Sequence, residues 1–145
     1  MKYLYKNGST PAPNDPLTEK VIGLAIEVHK ELGPGFPESI YHRSLELQLA
    51  GAEIAFTSQA PLVVRFNGHV VGTFAADILV EEKLIVELKA LEELPVIVEV
   101  QVVSYLKASG HDIGLILNFG QSPLQIKRKY RNRAEIDFDL RLHEA

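Results

Sequence analysis

Residues 76–90 read ADILVEEKLIVELKA, two short runs of Ile, Leu and Val separated by a charged turn at Glu81, Glu82 and Lys83. Such runs are built to bury a strand face, yet Asp77, Glu87 and Lys89 lie inside them. An unpaired charge on a buried face is costly, so something must compensate these three. Residues two apart in a strand share a face, which places Glu87 and Lys89 on the same side. With the turn centred on Glu82, an antiparallel pairing sets Asp77 opposite Glu87, with side chains about 5 Å apart. A register slip of one residue would turn Asp77 away. Two carboxylates that close repel unless a cation lies between them, and Mg²⁺ takes one or two carboxylates while keeping several waters. The plainer alternative is a solvated sheet edge at which Lys89 pairs with one carboxylate.

The rest of the chain bounds the classes to which this stretch can belong. Its 145 residues, 46% hydrophobic and 23% charged, suit one globular domain with a sizeable core. No apolar run approaches the ~20 residues of a membrane span, and MKYLYKNGSTPAPNDP lacks a hydrophobic signal core, so a soluble, unexported protein is expected. The absence of cysteine removes disulfides and thiolate sites, which leaves oxygen and His ligands and favours hard cations. A net charge of −4 argues against nonspecific coating of nucleic acid, though not against a local basic patch.

Outward from the charged strands, residues 1–16 form a Gly/Pro/Ser/Asn-rich leader, 17–130 a single domain, and 131–145 a charged tail. Val21, Ile22, Ala25, Ile26, His29 and Leu32 recur at helical spacing, with Thr18 or Asp15 as cap and Gly33-Pro34 as stop. A second helix is predicted from Pro37 to Gly51. Strands are predicted over 52–58, 61–66, 69–80 and 84–90, with the hairpin signal Asn67-Gly68 between the second and third. Residues 95–109 are rich in valine, which favours a strand. A helix is nevertheless predicted, because strands over 113–118 and 124–129 follow and a crossover of that length is usually helical.

An Asp at the end of one strand followed by Glu-x-Lys in the next resembles the core motif of the PD-(D/E)XK nucleases. LGPGFPESIY, with Gly35, Glu38 and Tyr41, resembles the bacterial GxxExxY proteins of that superfamily, as do EVHKELGPGF, Gln101-x-x-x-Tyr105 and ILNFG. The resemblance spans residues 17–130 and implies an α/β (α+β) nuclease-like core, a mixed sheet flanked by helices. It implies phosphodiester hydrolysis of nucleic acid, with DNA as the expected polymer, assisted by Mg²⁺ or Mn²⁺. Asp77 and Glu87 would be metal ligands, Glu38 would complete the acidic cluster directly or through water, and Lys89 would orient the attacking water or stabilise the phosphate. Gln101 and Tyr105 would join the catalytic set from one helix face, as in the RecB-like branch.

Other candidates have plainer readings beside the functional one. Tyr41 reads as a core ring whose hydroxyl finds a partner, Gly35 as loop geometry, and His29 as a satisfied core histidine. The run KRKYRNR offers Lys127, Arg128, Lys129, Arg131 and Arg133 to phosphates, or else a solvated strand end answering an acidic tail. Three functions are carried forward: a metal-dependent nuclease, a non-catalytic nucleic-acid- or partner-binding module on the same fold, and an unrelated carboxylate-pair hydrolase. No membrane partner is expected, and a homodimer is left open.

Overall fold

A computed structural model describes residues 15–131. The element order is α1 (Pro16–Leu32), α2 (Glu38–Gly51), β1 (Phe56–Phe66), β2 (His69–Val80), β3 (Leu84–Lys89), α3 (Val96–Ser109), β4 (Ile113–Asn118) and β5 (Gln125–Tyr130). The strands form one sheet in the order β1-β2-β3-β4-β5; only β3 and β4 run parallel, and α3 is the crossover between them. The valine-rich segment is therefore a helix, as the crossover requires. Part of its apolar content is spent on the sheet, since Val98 and Val102 pack against Ile116, while Leu106 packs with Ala60, Leu79 and Ile85; Val96, Ile97 and Val100 remain exposed.

Alternation along the strands divides the core into two layers. Ile78, Val80, Leu84, Val86, Leu88, Leu115 and Leu117 face α1 and α2, where they meet Val21, Ala25, Tyr41 and Leu45. Leu79, Ile85 and Ile116 face α3. A sheet covered on both faces explains why β3 and β4 are buried at nearly every position. Glu87, between Val86 and Leu88, must then point to the α3 side, and Lys89 with it.

Local chemistry sets the element ends. The Asp15 carboxylate accepts from the Thr18 N–H and caps α1, so Pro16, at the close of the predicted leader, is the first helical residue. Pro37 is not the first residue of α2 but its cap, with ψ 151° outside the helical range, and Glu38 takes the first position. The predicted gap at 59–60 closes: β1 is continuous through Gln59, whose φ of 50° marks a local irregularity. Gly120 packs so tightly that an added Cβ would lie 2.3 Å from the Leu91 carbonyl oxygen, which only glycine permits.

Candidate active site

The site forms where the sheet divides. β2 pairs with β1 along nearly its whole length, but with β3 only from Ile78↔Val86 to Val80↔Leu84. That register is the one expected from a turn centred on Glu82. One step beyond Ile78 and Val86 the ladder stops, and side chains replace backbone partners. The Asp77 N–H donates to Glu87 Oε1 at 3.1 Å, and the Leu88 N–H donates to Asp77 Oδ2 at 2.9 Å. The two carboxylates are thus interlocked across the fork between β2 and β3, each held by the other's strand.

This placement has an electrostatic consequence. Glu87 is 8% exposed, and burial, followed by the adjacent Asp77 charge, pushes its carboxyl up to about 8. Glu38 stands at the first turn of α2, the helix that packs on the other face of the sheet. Its carboxyl is also raised, first by burial, with Lys89 opposing and Asp77 adding to the shift. Lys89 therefore lies within electrostatic reach of both Glu38 and Glu87, yet it forms no close ion pair among the described residues. The plainer alternative, in which Lys89 neutralises one carboxylate directly, does not describe this arrangement.

The donor set fits a hard divalent cation. Asp77 and Glu87 offer carboxylate oxygens beside one another in a half-closed position, and their mutual repulsion is what a cation would relieve. Among the described residues no group of three His, Asp or Glu side chains is gathered closely enough to hold a metal ion. Glu38 is thus brought within electrostatic reach of Asp77 but not into one three-carboxylate cluster with the pair.

From α3, Tyr105 is half-buried and close enough to Glu87 and Asp77 for their charges, after burial, to raise its phenol. Its ring stacks on Phe74 with centroids 4.1 Å apart. Gln101, one turn earlier, is exposed and without a hydrogen bond among the described residues. Tyr41 is fully buried and stacks on Phe119. Its hydroxyl donates to the Gly33 carbonyl and accepts from the Phe36 N–H, which pins the loop leading to Glu38. His29 is buried as expected but not satisfied: its Nε2 has no hydrogen-bond partner among the described residues, because the neighbouring Phe119 ring offers none.

The basic run does not form one patch. Strand alternation sends its side chains to opposite faces, and the fold supplies them with acids. Arg128 pairs with Glu19 of α1 at 2.8 Å, Lys129 with Glu99 of α3 at 2.5 Å, and Arg131 with Asp112 at 2.8 Å. Lys127 forms no ion pair among the described residues; it is in register with Ile116, itself paired with Glu87, so it stands on the row that carries the site. Arg133 lies outside the described residues, as do the first fourteen residues of the leader and the tail from Asn132 onward.

Two contributors were not picked out from the sequence. His42 lies one turn beyond Glu38, within reach of its charge, with Nε2 at 3.2 Å from Glu46 and 3.3 Å from Ser58. The Glu38-x-x-x-His42 spacing was its available signal. Asn118, fully buried beside Lys89, brackets Leu91: it donates to the Leu91 carbonyl and accepts from the Leu91 N–H, both at 2.9 Å. It fixes the chain as it leaves the strand that carries Lys89.

An acidic strand end interlocked with a Glu-x-Lys strand, in a mixed sheet covered by helices on both faces, defines a nuclease-like α+β fold. The chain belongs to the PD-(D/E)XK nuclease superfamily, whose family model matches residues 15–130. Among solved structures, the one titled "Crystal structure of SSO0001" is similar with a TM-score of 0.50 at 15% identity, covering 88% of each chain, a likeness of fold. No curated protein matches the chain significantly. No helix among the described residues is long and apolar enough to cross a membrane.

Proposed function

We propose that this protein is a metal-dependent nuclease of the GxxExxY type that hydrolyses phosphodiester bonds of nucleic acid, with DNA as the favoured polymer, in the bacterial cytoplasm. The observation that carries the reading is the interlock of Asp77 and Glu87 at the fork of the sheet, with Lys89 on the Glu87 face and without a close ion pair among the described residues.

Asp77 and Glu87 would hold Mg²⁺ or Mn²⁺, which lowers the pKa of water and neutralises charge developing on a phosphoryl oxygen. The chain's own residues then divide the remaining work. The two backbone hydrogen bonds hold the carboxylates in place before substrate arrives, so little reorganisation is needed during reaction. Lys89 directs its ammonium to the phosphate or to the attacking water, where charge increases in the transition state. Glu38, raised by burial, can accept or return a proton at the rim.

The test incubates supercoiled plasmid, linear duplex, single-stranded DNA and RNA with the parent protein and Lys89→Ala, in Mg²⁺, Mn²⁺ or EDTA. Metal-dependent cleavage by the parent, reduced on the order of 10²–10³ in the variant, is expected. Cleavage that survives unchanged in Lys89→Ala refutes the assignment. Binding without cleavage of any substrate favours the non-catalytic module.

A further inference from the structure

A cleft of about 410 Å³ lies between the β1–β2 hairpin and α3, lined by Val64, Val71, Phe74, Ser104, Tyr105 and Ala108 among others. One side is the stacked pair of Phe74 and Tyr105, both only partly buried. Tyr105 joins the cleft to the acidic pair, since the charges of Glu87 and Asp77 reach its phenol. Away from that pair, the segments that line the cleft carry no acid. No Asp or Glu occurs between Ile54 and Ala76 or between Val100 and His111, although the whole chain carries −4. The basic side chains in those stretches, Arg65 and Lys107, are both exposed, as is His69.

An apolar trough that adjoins the carboxylate pair, includes an aromatic stack and is built from segments carrying Arg65 and Lys107 but no acid suits a ligand with flat apolar units on an anionic backbone. A paired base has both faces covered by its neighbours and cannot enter, whereas an unpaired base can stack on an exposed ring. We propose that this cleft receives the base of an unpaired nucleotide beside the scissile phosphate, so that the substrate is single-stranded or has a single-stranded flank. The inference rests on the nuclease reading and narrows its substrate class.

The test measures binding in EDTA, where cleavage plays no part. A labelled single strand, its blunt duplex and the same strand with abasic positions are titrated with the parent and with Val71→Glu, a substitution at a position 62% exposed that should leave the melting temperature unchanged. The parent should prefer the intact single strand. Val71→Glu should weaken that complex about tenfold, and the abasic strand should bind parent and variant alike. Equal affinity of the parent for duplex and single strand would overturn the proposal, as would a Val71→Glu loss of equal size on the abasic strand, which would be charge repulsion alone. Capture of an apolar peptide in the cleft with no oligonucleotide binding would also overturn it, by making the face a protein-docking surface. Parallel cleavage assays separate the two readings: a Val71-sensitive single-strand preference without cleavage sinks only the nuclease assignment, and cleavage with normal single-strand binding by Val71→Glu sinks only the cleft.

Discussion

Replacing Glu87 by Gln should make the metal-free protein more stable. A carboxyl raised from 4.5 to about 8 is protonated in the folded state over a range in which the unfolded chain is ionised. Its stabilising contribution is complete below pH 4.5 and is lost as pH rises through 8. Each pH unit across that window costs about 1.4 kcal/mol, which accumulates to about 3 kcal/mol by pH 7 and about 5 kcal/mol above pH 8. Gln keeps the oxygen that accepts from the Asp77 N–H but cannot ionise beside Asp77. In a chain of this size about 3 kcal/mol corresponds to a melting temperature roughly 10 °C higher. The assay is thermal unfolding of parent and Glu87→Gln from pH 4.5 to 8.5 in EDTA, then with millimolar Mg²⁺ or Mn²⁺. The two should coincide near pH 4.5 and separate as pH rises. Metal should then raise the parent alone, increasingly at higher pH, because only the ionised pair binds it. Coincident melting curves at every pH would refute the claim that the pair is repulsive in the absence of a cation.

Gly120→Ala should destabilise by about 1–3 kcal/mol, read as a lower denaturant midpoint, because its Cβ would overlap the Leu91 backbone; an unchanged midpoint would mean that the Asn118–Leu91 bracket gives way freely. Tyr41→Phe should cost about 1–3 kcal/mol by leaving the Gly33 carbonyl and Phe36 N–H unpaired, and should lower kcat more than substrate binding if the loop positions Glu38. Lys127→Ala should reduce the salt slope of nucleic-acid binding by about 1, whereas Arg128→Ala, whose partner is Glu19, should leave it nearly unchanged; equal slopes for both would show that the ion pairs open to meet phosphate.

What the sequence could determine by itself was local. The turn at Glu81–Lys83 and the period of two in 76–90 set the register, so the facing of Asp77 and Glu87 was legible before any coordinates, because pairing across a tight turn depends only on residues near it. Helix α3 was legible despite its valines because the crossover between parallel strands requires it. The tertiary structure decided what depends on residues distant in sequence. The sheet divides at Asp77 because β2 continues with β1 rather than β3, and that division leaves the pair bonded to backbone N–H groups in place of a ladder, within electrostatic reach of Glu38 from α2. The basic run looked continuous as a string, but alternation and the acids Glu19, Glu99 and Asp112 divided it, leaving Lys127 on the row of Glu87. A charge's cost and its partner depend on what the fold packs around it, and that packing is assembled from segments the local pattern does not connect.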